Sequence, residues 1–193
     1  MAHVSPARAQ TTEPQVPAHA VAVVDLLNSR PYAGMKDKLD DLGSAAEVLR
    51  SFGHRADPPS TEQVELARAL RSDLMAVLTA PDAAAVERAW AAFTAATSSV
   101  TFQQEFSGEA QVRLCQVGGD PVAARIVLDV ADLVSTGTWN RLRMCANDRC
   151  SEVFYDTTRS RTRRWHSYET CGNRTNVAAY RARARKPGDT RTA

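Results

Sequence analysis

The chain has 193 residues, of which 24 are Lys or Arg, 22 are Asp or Glu and 44% are hydrophobic. That is enough for one medium-sized domain, or for a medium-sized and a small one. It holds no run of about 18 apolar residues, which excludes a typical membrane-spanning helix, so we expect a soluble protein. The net charge of +2 is unevenly distributed, because residues 1–138 hold 11 basic against 17 acidic side chains and residues 139–193 hold 13 against 5. This division predicts an acidic globular domain followed by a basic module with a polyanionic partner.

Residues 1–17 contain three prolines among Ser, Thr, Gln and Ala, and they lack the apolar segment that an export signal needs. We interpret them as a disordered tail. Without an export signal we expect a reducing, cytoplasmic environment, in which Cys145 and Cys150 would be thiolate ligands rather than a disulfide.

Residues 18–138 are predicted to form a mostly helical domain with a core of its own, because apolar side chains recur at helical spacing. The ends of these segments carry recognisable signals: Ser60 and Gln63 form a capping-box pair, and Gly53 and Gly137 are placed to end helices. Helices are predicted over residues 18–29, 41–52, 60–78, 81 to at least 93, and 122–135.

Between the last two of these helices the apolar pattern changes from helical to alternating. Residues 100–106 and 109–117 are rich in aromatic and branched side chains, and a Ser-Gly pair separates them, so a β-hairpin is predicted. One face of its second strand is mainly apolar, and we interpret Cys115, on the other side, as a buried small hydrophobe. The fold class is therefore α+β.

This first domain carries no signature of an enzyme. It has no glycine-rich phosphate loop, no nucleophile elbow and no His-Glu metal pair on a helix. We expect it to bind a small-molecule effector, to form a homodimer, or both.

Three of the four cysteines and one histidine lie within residues 145–171, in the spacing C-x4-C-x15-H-x4-C. These are two short-range pairs joined by a longer segment, as tetrahedral Zn²⁺ requires from a short chain. If all four bind, no coordination position remains for water or substrate, which is typical of a structural zinc ion. The predicted ligands are Cys145, Cys150, His166 and Cys171.

Residues 139–187 are predicted to form the metal module around this site. About 50 residues hold too little apolar mass to fold reliably without the ion, whose binding should supply on the order of 10 kcal/mol. Residues 157–162 are predicted to be a polar loop between two short strands. The side chains expected to form the small core are Val153, Phe154, Tyr155 and Trp165.

A last helix is predicted from Arg174 to Lys186, capped by Asn173 and followed by a disordered tail at 188–193. The apolar stripe expected to pack against the metal core consists of Val177, Tyr180 and Ala184. The start of this helix is suited to reading base edges in the DNA major groove, and its arginines to holding phosphates. The predicted DNA contacts are Arg163, Arg164, Asn173, Arg174, Thr175, Asn176, Arg181 and Arg185.

Four segments of the module together resemble the CGNR zinc-finger family. They are Cys145-Ala-Asn-Asp-Arg-Cys150, Phe154-Tyr-Asp156, Arg163-Arg-Trp165-His166-Ser and Cys171-Gly-Asn-Arg174. In these bacterial proteins the finger follows a domain described as a stress-induced transcription regulator, whose opening helix residues 24–29 weakly resemble. The resemblance implies the same four metal ligands and a DNA-reading role for Arg174 and the helix behind it. His166 stands where the family more often has cysteine, and Asn176 where a lysine is common.

The sequence thus predicts a DNA-binding transcriptional regulator without enzymatic activity. In this interpretation a structural zinc ion orients the last helix, and ligand or partner binding to the first domain alters the geometry of a dimer. Two alternatives stay open at this point. The finger could dock on an acidic protein partner, or it could bind RNA.

Overall fold

The computed structural model describes residues 15–56, 58–108 and 110–184. Its helices are α1 (Ala18–Leu27), α2 (Leu42–Arg50), α3 (Thr61–Thr79), α4 (Ala83–Ala96), α5 (Pro121–Ser135) and α6 (Asn173–Ala184). Its strands are β1 (Thr101–Ser107), β2 (Gln111–Gly118), β3 (Leu142–Met144) and β4 (Val153–Tyr155). Short 3-10 turns span Lys38–Asp40 and Trp139–Arg141, and a π-helical turn spans Tyr168–Gly172. The predicted α+β class is confirmed.

Parts of three predictions lie outside the described residues: the tails at 1–14 and 188–193 and the end of the last helix at 185–187. Within the described ranges, no helix is long and apolar enough to cross a bilayer.

The helix boundaries follow local capping chemistry. Ser60 and Gln63 form the predicted capping box at the start of α3. Asp41 accepts a hydrogen bond from the Ser44 amide at 2.8 Å, which starts α2 at the predicted place. Gly53 has a φ of +81°, a left-handed conformation that favours glycine, so the chain turns away there after α2.

One apolar core is shared by the helical part and the β3–β4 hairpin. Its fully buried side chains include Leu26, Leu49, Leu70, Leu74, Ile126 and Leu133. Leu142 of β3 and Val153 of β4 are buried in the same cluster. The basic module is therefore packed into the helical domain through its strands.

Asn28, at the end of α1, fixes this packing through the backbone of β4. Its amide nitrogen donates to the Val153 carbonyl at 2.8 Å, and its amide oxygen accepts from the Val153 N–H at 2.8 Å. The Arg30 guanidinium donates to the carbonyl of Ser151 close by. Asn28 thus pairs with β4 as a neighbouring strand would, satisfying a backbone donor and acceptor at the buried junction.

A buried ion pair ties the segment between α1 and α2 to α3. Arg71 donates to both carboxylate oxygens of Asp37, at 2.7 and 2.6 Å, and to the Ser29 hydroxyl at 2.9 Å. The hydrogen bond from Arg71 is the main reason that the pKa of Asp37 lies below its ordinary value. The charge of Asp37 is thereby matched by that of Arg71 in a nearly buried position.

The β1–β2 hairpin has the predicted alternation, but its apolar face is exposed. Phe106 pairs with Val112 in the antiparallel register, and these side chains are 77% and 59% exposed. On the opposite face Glu105 and Arg113 form an ion pair at 2.8 Å. Cys115 lies beside this pair and is partly exposed, so the prediction of a buried Cys115 is wrong. Its pKa is raised, mainly by a hydrogen bond with Glu105.

Candidate metal centre

The first two predicted ligands lie at the ends of the turn that joins β3 to β4. Met144 pairs with Val153 in this hairpin, and the Cys145 amide donates to the Glu152 carbonyl at 2.7 Å. The Cys150 amide donates to the Asn147 carbonyl at 2.7 Å, which closes the turn. Because the ladder fixes both ends of a short turn, the two thiols are held on the same side of the hairpin.

The other two ligands are positioned by a loop that folds back over this turn. Asp156 is fully buried, and its carboxylate accepts from the amides of Thr158 and Arg163, at 2.9 Å each. The Ala146 amide donates to the Arg164 carbonyl at 2.8 Å, which joins the two halves of the site. These contacts place His166 beside the turn from Cys145 to Cys150, called the cysteine turn below.

The predicted strand preceding His166 is not formed, since residues 163–166 are irregular and β4 pairs with β3 instead. Asp156 contributes to this, because its carboxylate accepts from the Arg163 amide, which a strand would otherwise pair.

The four predicted ligand residues come together. One ligand atom from each of Cys145, Cys150, His166 and Cys171 lies within 4.8 Å of the other three. His166 Nδ1 is 3.3 Å from the Cys150 sulfur and 3.8 Å from the Cys171 sulfur. Ligand atoms around a tetrahedral ion with bonds of about 2.0–2.3 Å are about 3.3–3.8 Å apart. The donor set therefore fits a four-coordinate metal ion.

Glu152 supports His166 from the side away from the thiols. Its carboxylate lies 3.3 Å from His166 Nε2, so a proton on Nε2 is held there and the lone pair of Nδ1 faces the sulfurs. Metal-binding histidines commonly have such a partner, which fixes the ring orientation and tautomer. Sequence reasoning missed Glu152, because no spacing rule distinguishes it from other acidic residues near a ligand.

The predicted metal core is only half correct. Phe154 and Trp165 pack against the cysteines, whereas Val153 and Tyr155 pack into the core of the helical domain. Successive side chains of a strand point to opposite faces, so β4 contributes to both cores at once.

The π-helical turn at Tyr168–Gly172 runs directly into α6, so the continuous helical segment begins earlier than predicted. Ser167 is its N-cap and accepts from the Thr170 amide at 3.2 Å, while Asn173 has helical dihedral angles (φ −61°, ψ −43°). The prediction of Asn173 as the cap is therefore wrong. Gly172 is a point of close approach, because a Cβ there would lie 2.7 Å from the Tyr168 ring.

Comparison with protein families adds to this geometry. Residues 20–137, more than half of the chain, match the family described as "Putative stress-induced transcription regulator". The chain belongs to this regulator family. Residues 141–184 match the CGNR zinc finger, so the predicted resemblance is confirmed for both parts. A comparison with curated proteins gave no match.

The pKa values of two thiols of the CGNR finger are shifted in opposite directions. Burial raises the pKa of Cys150 to about 12, so this thiol is protonated at neutral pH until a metal displaces its proton. Burial also acts on Cys171, but hydrogen bonds, first among them that from Asn147, bring the pKa of Cys171 below its ordinary value. Metal binding to the finger should therefore release protons.

Part of the predicted DNA-contacting set lines a groove of about 700 Å³ between the cysteine turn and the start of α6. The residues that line it are Ala146, Asn147, Asp148, Arg149, Asn173, Arg174, Thr175, Val177 and Arg181. Of the predicted contacts in this groove, Asn173, Arg174 and Arg181 are exposed, and Thr175 is half-buried because its hydroxyl donates to the Cys171 carbonyl at 2.9 Å. Arg149, from the cysteine turn, was not in the predicted set.

The remaining predicted contacts lie elsewhere. Arg163 donates to the carbonyls of Trp165 and His166, so its guanidinium is engaged within the finger. Arg164 is exposed, with its guanidinium 5.3 Å from the centre of the Trp165 ring. Asn176 is exposed beside the Tyr168 hydroxyl. Arg185 lies outside the described residues.

Two of the three residues of the apolar stripe predicted on α6 are exposed and do not pack against the metal core. Val177 is 47% exposed and Tyr180 is 68% exposed, so that prediction is wrong for both residues. The contact is supplied instead by Trp165, which comes from the loop before His166.

Proposed function

We propose that this chain is a DNA-binding transcription regulator, in which a structural Zn²⁺ ion holds the CGNR finger in the conformation that binds duplex DNA. The observation that carries the proposal is the groove beside the metal centre, which three arginines from two separate segments line. Arg149 comes from the cysteine turn, and Arg174 and Arg181 from α6. Such a concentration of guanidinium groups favours phosphate as the ligand.

The ligand set supports zinc as the ion and structure as its role. Three thiolates and one imidazole are ligands that Zn²⁺ commonly takes in proteins. Four protein ligands complete its coordination, so the proposal assigns no catalytic activity to this site. Bound zinc would supply folding free energy to a finger whose own apolar cluster is small.

The position of Cys171 links the ion to α6. Cys171 lies inside the π-helical turn that runs directly into α6, with its amide donating to the Ser167 carbonyl at 3.0 Å. Holding the Cys171 sulfur at the ion therefore holds the first turn of α6, where Asn173 and Arg174 are exposed. A helix of 12 residues is about 18 Å long, and an α-helix with its side chains is about 10–12 Å across, which suits the major groove of about 12 Å.

The exposed side chains at this end include groups suited to base edges as well as phosphates. Asparagine can pair with adenine and arginine with guanine in the major groove. We propose that Asn173, Arg174 and Asn176 face the bases, and that Arg149, Arg164 and Arg181 contact phosphates. Arg163 is left out of this set, because its guanidinium is engaged with the finger's own carbonyls.

The test is binding of the full, zinc-loaded chain to selected and scrambled duplexes across a salt series. Each lost phosphate contact should reduce the slope of log K against log salt by about 1, so Arg181→Ala should weaken all duplexes alike. Arg174→Ala should instead reduce the preference for the selected duplex, by about 1–3 kcal/mol. Arg88→Ala, which removes an exposed arginine of α4, is the matched control and should change neither quantity.

A protein partner is the second candidate, and one observation favours it. Val177 and Tyr180 expose apolar surface on α6, which would suit a protein surface better than a phosphate backbone. Three results in the duplex assay would together support this alternative and contradict DNA binding. They are an affinity that does not change with salt, no preference for the selected duplex over the scrambled one, and no effect of Arg174→Ala on the affinity.

A further inference from the structure

A second cavity, of about 400 Å³, lies where α3, α4 and α5 meet the turn that leads into β3. It is separate in sequence from the groove beside the metal centre. Its walls include Val77, Val86, Trp90, Val134, Trp139 and Leu142. All of the residues that line the cavity are uncharged.

Two indole rings form the most distinctive part of this cavity. The ring centroids of Trp90 and Trp139 are 5.1 Å apart, with an angle of 57° between the planes. Phe93, which is buried, packs edge-on against Trp90 at 5.9 Å and holds that ring from behind. Both indoles are only half-buried, so ring surface is left open at the cavity.

We propose that this cavity binds a small, uncharged, planar aromatic molecule. Its volume falls in the range of about 300–1,000 Å³ that is usual for sites of small ligands. Indole faces favour an aromatic ring in an offset or edge-to-face arrangement, at about 0.5–1.5 kcal/mol beyond burial alone. A charged ligand would lose hydration without gaining an ion-pair partner from the lining residues.

Three of the lining side chains, those of Trp90, Trp139 and Asn140, carry polar groups, so the ligand can bear a polar substituent. Each indole carries an N–H donor and no acceptor. A ring with a hydroxyl or carbonyl oxygen could therefore accept a hydrogen bond at the edge of the cavity, while its apolar part contacts the valines and Leu142.

The experiment uses the full, ¹⁵N-labelled, zinc-loaded chain and 1-naphthol as the probe. The chain has three tryptophans, so its indole N–H signals can be followed separately. We expect saturable shifts for Trp90 and Trp139 below 1 mM and no shift for Trp165, which packs against the cysteines of the finger. The anion 1-naphthoate should bind at least about tenfold more weakly, because its charge must be desolvated.

Two matched variants locate the site. Val134 lines the cavity and is 48% exposed, so Val134→Trp should fill its edge, leave the core intact and weaken 1-naphthol binding at least about tenfold. Val117→Trp places the same ring on β2, at a valine that is 60% exposed and does not line the cavity, and should leave the affinity unchanged.

The proposal is overturned by any of three results: no shift at 1 mM, equal shifts of all three indoles, or unchanged affinity in a folded Val134→Trp variant. If that variant does not fold, the comparison of the three indoles in the unmodified chain decides. No DNA is present in this experiment, so its failure leaves the DNA-binding proposal standing, and the reverse also holds.

Discussion

Removing the Glu152 carboxylate should weaken metal binding without removing a ligand. The carboxylate lies 3.3 Å from His166 Nε2, with 32% of the Glu152 side chain and 22% of the His166 side chain exposed. Loss of such a partner typically costs about 10–100-fold in metal affinity, or about 1.4–2.7 kcal/mol. Because water can reach this pair and replace the carboxylate, we expect Glu152→Ala to lie near the lower limit, at about tenfold. Glu152→Gln should cost less, since its amide oxygen can still accept the imidazole N–H.

The assay is competition for zinc with a chelator at fixed pH, together with an NMR spectrum that reports the His166 tautomer. The control is Glu169→Ala, which removes an exposed carboxylate two residues before Cys171. Glu169→Ala should retain the affinity and the Nε2–H signal, whereas Glu152→Ala should lose part of both. Equal losses in the two variants would mean that Glu152 acts only through its charge, and the positioning argument would be refuted.

Three other outcomes are expected. Asn28→Ala should lower the free energy of unfolding in urea by about 2 kcal/mol, because the Val153 N–H and C=O in β4 lose their partners. The control Asn140→Ala, at an exposed position, should leave the free energy of unfolding unchanged. Asp37→Asn should lower it by about 3 kcal/mol at pH 7 by leaving Arg71 buried without a counter-charge. The hydrogen bond from Arg71 lowers the folded-state pKa of Asp37, so this stabilisation is complete above the unfolded value of about 4 and is lost as the pH falls from there through the folded value. A gap that did not shrink between about pH 5 and about pH 2 would contradict the assignment. Cys171→Ser should make the finger protease-sensitive while the helical circular dichroism of the first domain persists, and protection without metal would contradict a structural ion.

Features that depend on nearby residues were predictable from the sequence. The capping box at Ser60 follows from the Ser60 and Gln63 side chains, and the turn at Gly53 follows from the freedom of glycine to take a positive φ; both are observed. The spacing of the cysteines and His166 indicated a common site, because short-range pairs can converge only in a few ways, and the structure brings the four residues together.

Features that depend on distant partners were not predictable. Strand β3 has three residues, too few for an alternating pattern to be recognised, and its partner could only be guessed. Asn28 and Val153 are 125 positions apart, and neither residue type indicates the contact. Asn173 was predicted as the N-cap because asparagine is a good cap, but the helical turn around Cys171 places the cap at Ser167.

The pairing of Asn28 with β4 has a practical consequence for dissecting this protein. The two family matches are separated by only three residues, at 138–140, and invite a cut there. Such a cut would separate Leu142 and Val153 from the helical residues that bury them, and it would leave an exposed apolar surface on both fragments. Any chimera or truncation that is meant to keep the finger in its native shape should therefore carry α1 along with it.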